Sequence, residues 1–129
     1  MGLRTGVDII EVDRIRFNIE KYGSKFLNRV FTEKEIEYCE LKNVQKYESY
    51  AGRFAAKEAV FKAISEFLEN KYEIEWKQIE IVNNKDGRPI VNINLKNLNV
   101  NVDNVNNVNI DVSISHINSI AIASVVLEV

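Results

Sequence analysis

Residues 45 to 68 read as one long helix, free of proline and opposed only by Gly52, and that helix is apolar on two sides. At about 100° per residue, Tyr47, Ala51, Phe54, Phe61 and Ser65 share one face, while Ala56, Val60, Ala63 and Phe67 share the opposite one. Such a helix needs two covers. The sheet of its own domain supplies one, and either a neighbouring element or a second subunit supplies the other. With 129 residues the chain has room for a single domain, residues 1–129. A domain of that size buries only about two-thirds of its unfolded surface, so apolar area shared with a second copy would add stability.

The remaining segments fix the fold class. Leu3, Val7, Ile9, Ile10 and Val12 form an opening strand, and Asp13 to Lys21 has helical spacing at Ile15, Phe17 and Ile19 with Gly23 as its stop. Thr32-Glu33-Lys34-Glu35 is a capping box that starts a helix running to about Leu41. In the second half, Gln78 to Val82 and Val91 to Leu95 alternate on either side of an Asp86-Gly87 turn. Val108 to Ile114 alternates again and pairs as a hairpin with Ser119 to Leu127. Helices come mainly first and strands mainly later. The expected fold is α+β, a long central helix packed on a mainly antiparallel sheet.

Composition narrows the function. A net charge of −2 gives no general attraction for nucleic acid. An RNA-binding domain would carry aromatics on a basic sheet face, whereas Phe54, Phe61 and Phe67 lie on the helix and the strand faces carry Asn and Ser. Cys39 is the only cysteine, which excludes an internal disulfide and a thiolate-rich metal site and suits a reducing compartment. The amino terminus lacks the apolar core of a signal peptide, and the longest apolar-rich run, 120 to 127, is too short to span a bilayer. A cytoplasmic protein without membrane or nucleic-acid partners is expected. Glycine-rich phosphate loops and nucleophile elbows are both missing from the sequence.

Two acids break apolar patterns. Asp8 interrupts the opening strand, and Glu58 interrupts the Phe54–Phe61 stripe with Lys62 four residues on. Asp8 either ends a strand beside a basic partner or serves as a ligand. Two carboxylates without a Cys or His cluster suit a hard ion, and magnesium takes one or two protein carboxylates while phosphate oxygens and waters fill its other positions. Lys62 would then neutralise charge on a diphosphate. His116, the only histidine, follows Ser113 and Ser115 at a strand end and is expected on their polar face, where two hydroxyls and an imidazole can donate to phosphate oxygens. From Arg14 to Arg29 the chain holds five basic residues against Glu20, a local +4 that is either a solvated face or a dock for an acidic partner.

Four stretches, in order, resemble the holo-acyl-carrier-protein synthase family, the small trimeric phosphopantetheinyl transferases. They are Gly6-Val7-Asp8-Ile9, Arg29 to Glu35, Arg53-Phe54-Ala55-Ala56-Lys57-Glu58-Ala59-Val60-Phe61-Lys62-Ala63, and Ser113-Ile114-Ser115-His116 followed by Ala121-Ile122-Ala123. The resemblance implies the 4′-phosphopantetheinyl transferase fold and transfer of the phosphopantetheine arm of coenzyme A to a serine of apo-acyl carrier protein, in support of fatty acid biosynthesis. It implies that Asp8 and Glu58 bind Mg2+, that Lys62 meets the coenzyme phosphates together with Arg53 and Lys57, and that Ser113, Ser115 and His116 line the coenzyme site. Glu58 is the first choice of base and His116 the second. Arg14 and Lys21 are the implied carrier-protein contacts. Sites between the subunits of a homotrimer would supply the long helix with its second cover.

One segment departs from the family. Between Asn92 and Asn109 nine of eighteen residues are Asn, a longer and more polar stretch than the family leads one to expect. It reads as biased composition on a strand and its loop. A non-catalytic carrier-binding module on the same fold is the competing reading, and its sign would be loss of Asp8, Glu58 or Lys62. All three are present.

Overall fold

The computed structural model describes residues 2–68, 74–93 and 109–129. Strand β1, Leu3–Glu11, runs directly into helix α1, Val12–Tyr22. Val12, Ile15 and Ile19 recur at helical spacing and are buried, which leaves the charged positions outward. Gly23, at φ 57°, turns the chain into α2, Ser24–Val30, and its amide caps α1 by donating to the Ile19 carbonyl. Helix α3, Glu33–Glu40, opens on the expected capping box, with both Thr32–Glu35 hydrogen bonds formed.

Helix α4, Lys46–Ile64, is the centre of the molecule. Single turns of 3-10 helix precede and follow it, at Asn43–Gln45 and Ser65–Phe67, so the long helical pattern is realised in three pieces. Strands β2, Glu80–Asn83, and β3, Pro89–Asn92, form a hairpin whose turn holds Gly87 at φ 81°. Gln78, the first residue of the expected strand, instead closes a 3-10 turn at Trp76–Gln78 and accepts from the Glu75 amide. The hairpin of β4, Asn109–His116, and β5, Ile120–Glu128, completes an antiparallel sheet of order β1-β5-β4. Most of the Asn-rich stretch, including the expected strand residues Asn94, Leu95 and Val108, lies outside the described residues.

One face of this sheet packs on α4 through Ile10, Val112, Ala121, Ala123, Val125 and Leu127, all buried. Small residues let strand and helix approach closely. A Cβ on Gly6 would collide with the Ala59 carbonyl and crowd the Ala63 amide, so β1 and α4 touch backbone to backbone there. The other side of α4 is covered by α1, α3 and β2 of the same chain. Of the two sources left open for this cover, neighbouring elements of the same chain supply it: Val12, Ile15, Phe31, Cys39 and Ile81 are buried there, while Tyr47, Phe54 and Phe61 stay partly exposed. No described helix is long and apolar enough to cross a membrane.

Candidate functional site

Asp8 shares the helix-facing side of β1 with Gly6 and Ile10, and it stands level with the last turns of α4. The close approach at Gly6 brings it to Lys62, whose Nζ lies 3.3 Å from Asp8 Oδ1 and donates to the Val7 carbonyl at 3.0 Å. Lys62 therefore pairs across to the strand, not back along its helix to Glu58. Glu58 is partly buried in the same corner. Burial pushes its carboxyl above the usual range, the nearby Asp8 charge pushes it further, and Lys62 opposes both. Two acids and one half-exposed ammonium thus converge from sequence positions about fifty residues apart. Among the described residues no three or more His, Cys, Asp or Glu side chains gather at one point. The corner offers two hard oxygen donors, a set that suits a magnesium ion completed by water and phosphate.

Glu58 also lines a cleft of about 790 Å3 together with Phe61, Ile74, Trp76 and Ile79 and the polar residues Arg29 and Lys77. Lys57, the next residue, behaves differently. Its side chain has no exposure, its Nζ forms an ion pair with Glu35 at 2.7 Å, and it donates to the carbonyls of Trp76 at 3.0 Å and Ile79 at 2.5 Å. All three donors are used. Burial pulls its pKa down and Glu35 resists that. A phosphate contact from Lys57 would require this buried set to open.

Arg53 lies five positions before Glu58 on α4 and only 5% exposed. Its guanidinium stacks on Tyr38 at 3.9 Å and bonds Asn83, while its buried Nε has no partner. An unspent buried donor is an anion's natural seat. Arg53 and His116 share a smaller depression of about 230 Å3 with Glu48, Asn83, Pro89 and Ile114. Ser113 and Ser115 are exposed on the opposite, outer side of the sheet, where Ser113 neighbours the Arg88–Asp111 ion pair. Within one chain the candidates fall into three groups: Asp8 with Glu58 and Lys62, Arg53 with His116, and the two outward serines. Strand alternation separates the serines from Ile114, whose neighbours across the ladder, Ala123 and Asp8, face the helix.

Residues 4–122 match the 4′-phosphopantetheinyl transferase superfamily. The chain belongs to that superfamily. A holo-[acyl-carrier-protein] synthase of Protochlamydia amoebophila is 50% identical over 93 residues, which cover 72% of this chain and 74% of the relative. Among solved structures, a holo-(acyl-carrier-protein) synthase from Bacillus anthracis in complex with CoA (3′,5′-ADP) is 36% identical with a TM-score of 0.73, covering 96% of this chain and 94% of the other. Holo-[acyl-carrier-protein] synthase from Helicobacter pylori in complex with coenzyme A is 29% identical with a TM-score of 0.78, covering 96% and 99%.

Two further surfaces of this superfamily member bear on the site. Arg14, Arg16, Phe17 and Lys21 are exposed along α1, with the Lys21 ammonium 5.4 Å from the centres of the Phe17 and Tyr22 rings. The outer sheet face exposes Leu3, Val7, Ile9, Ile120, Ile122 and Val126 side by side. The sequence marked Glu35 only as a helix cap and did not single out Tyr38, Asn83 or Trp76. The Thr32–Glu35 capping box was the one signal near them, and it gave no hint that Glu35 also holds Lys57.

Proposed function

We propose that this chain is a single-domain holo-acyl-carrier-protein synthase, which moves the 4′-phosphopantetheine arm of coenzyme A onto a serine of apo-acyl carrier protein for fatty acid biosynthesis in the cytoplasm. The observation that carries the reading is the convergence of Asp8, Glu58 and Lys62 in a member of this superfamily. The carrier's serine oxygen attacks the β-phosphorus of coenzyme A, a new P–O bond forms, and the bridging P–O bond breaks. The electron pair leaves with adenosine 3′,5′-bisphosphate. Glu58 is the first candidate to take the serine proton, since a carboxylate with a raised pKa is the better acceptor near neutral pH, and His116 is the second. Lys62 meets the charge that gathers on the phosphoryl oxygens.

Asp8 and Glu58 would hold magnesium, which when bound supplies divalent charge against the diphosphate. The cleft beside Glu58, with Phe61, Ile74, Trp76 and Ile79 among mixed polar and apolar walls, fits the pantetheine arm, and the unspent Arg53 donor beside His116 fits a phosphate of the nucleotide end. Lys57 enters this reading as a wall support, not as a phosphate ligand. Arg14 and Lys21 on α1 offer positive charge to an acidic carrier. The outer sheet face, lined by six exposed apolar side chains, supports association into a homotrimer. A neighbouring subunit could then bring Ser113 and Ser115 to the Asp8 corner, which one chain keeps apart. The test is direct. Purified protein, apo carrier, coenzyme A and magnesium are mixed and the carrier is weighed by mass spectrometry; a gain of one phosphopantetheine arm is expected, and an unchanged carrier mass refutes the reading.

A further inference from the structure

Lys57 precedes Glu58 on α4, yet two of its three ammonium donors go to the Trp76–Ile79 wall of the cleft that Glu58 lines, and the third goes to Glu35. That ammonium binds two wall carbonyls, at Trp76 and Ile79, and is held in turn by Glu35. Both oxygens of Glu35 are engaged: Oε1 accepts from the Thr32 amide at 2.8 Å and from Lys57, and Oε2 accepts from the Ile81 amide at 2.9 Å. The pair therefore ties four segments to one point, namely the start of α3, the middle of α4, the Trp76 turn and the start of β2. Trp76 then stacks on Phe54 at 4.9 Å and presents its ring to the cleft.

We propose that Glu35 and Lys57 are positioning residues for transfer: they fix the distance between Glu58 and the Trp76–Ile79 wall, and through it the seat of the coenzyme's pantetheine arm. This rests on the reading given under Proposed function. A buried pair is an expensive way to hold a turn, because each charge loses its water and must be met in full by fixed partners. Here both carbonyl partners of Lys57, at Trp76 and Ile79, belong to residues that line the cleft. Adjacent positions on one helix thus supply the reacting carboxylate and the anchor of the surface opposite it.

Chain Trp76 is the sole tryptophan, so its emission reports the wall without a label. In Glu35→Gln/Lys57→Met the charges go together, Gln still serves the capping box, and Met fills the volume without donating to either carbonyl. Expected results are a Trp76 emission shifted to the red, a KM for coenzyme A raised about tenfold, and an unchanged inhibition constant for adenosine 3′,5′-bisphosphate, which lacks the arm. Single Glu35→Gln keeps the Lys57 bonds to the carbonyls but loses the charge that holds the ammonium, so its KM for coenzyme A should fall between those of the parent and the double variant.

Unmoved emission with an unmoved KM would reduce the pair to scaffold. Weakened inhibition by the bisphosphate with unmoved emission would mean that Lys57 touches phosphate directly. Should the double variant fail to fold, Trp76→Ala carries the test, with the same rise in KM expected and an unchanged KM overturning the proposal. Absence of transfer by the parent protein would defeat the functional reading instead, while the emission shift would still report on the wall.

Discussion

Lys57 and Glu58 are neighbours on one helix, both drawn out of water and both beside an opposite charge, yet they have opposite fates. Lys57 is closed: no exposure, three donors, three acceptors. Glu58 is open: partly buried, pushed up in pKa, facing a cleft and a second carboxylate. The difference teaches that an ionisable group with every bond satisfied builds the architecture, whereas one left short of partners is held ready for a ligand or a proton.

Breaking the closed side should give the largest effect. Lys57→Ala strands Glu35 without its counter-charge in a dry site, and the loss of stability expected is about 3–5 kcal/mol, read from urea unfolding. On the open side the loss should fall on turnover instead. Glu58→Gln is expected to lower kcat by about 10²–10³-fold while its unfolding midpoint stays within about 0.5 kcal/mol of the parent's. Equal destabilisation by the two substitutions would erase the contrast.

A smaller effect concerns pH. The folded-state pKa of Glu58 lies above its unfolded value, so the folded protein binds that proton more tightly. Below the unfolded pKa both states are protonated and the site costs nothing; above the folded pKa the full penalty of the buried charge is present. Metal-free parent protein should therefore lose stability relative to Glu58→Gln as pH rises from the ordinary carboxylate range through the raised value, and magnesium should cancel that loss. A difference between the two proteins that is flat with pH would show Glu58 to be unperturbed. The smallest change is expected on the exposed helix: Arg14→Glu should raise the KM for carrier protein several-fold, by about 1 kcal/mol or less, and leave that for coenzyme A unchanged.

Local patterns were legible in the sequence because they depend on neighbours in the chain. The capping box at Thr32, the turn at Gly87, the β4–β5 hairpin and the two-sided α4 all follow from spacing and residue type. The Asp8–Glu58–Lys62 corner was marked by charges that break apolar stripes, although its closing geometry depends on Gly6 meeting Ala59, a contact between positions far apart in sequence. Lys57 was read by likeness as a phosphate contact because nothing local reveals Glu35, Trp76 and Ile79 closing over it. Ser113 and Ser115 share a strand with His116, yet alternation puts His116 in phase with Val112 and Ile114 and turns the serines outward, so the shared polar face expected for the three does not form. The second cover of α4 came from within the chain because α1 and α3 fold back over it, which periodicity does not encode.

The central claim is that Asp8 and Glu58 jointly hold a hard divalent ion. Manganese, a paramagnetic substitute for magnesium, can be titrated into the protein with coenzyme A present and its free signal followed by electron spin resonance. The account predicts a saturable site in the parent protein that is weakened about tenfold or more in both Asp8→Asn and Glu58→Gln. Manganese held by either variant as tightly as by the parent would contradict it.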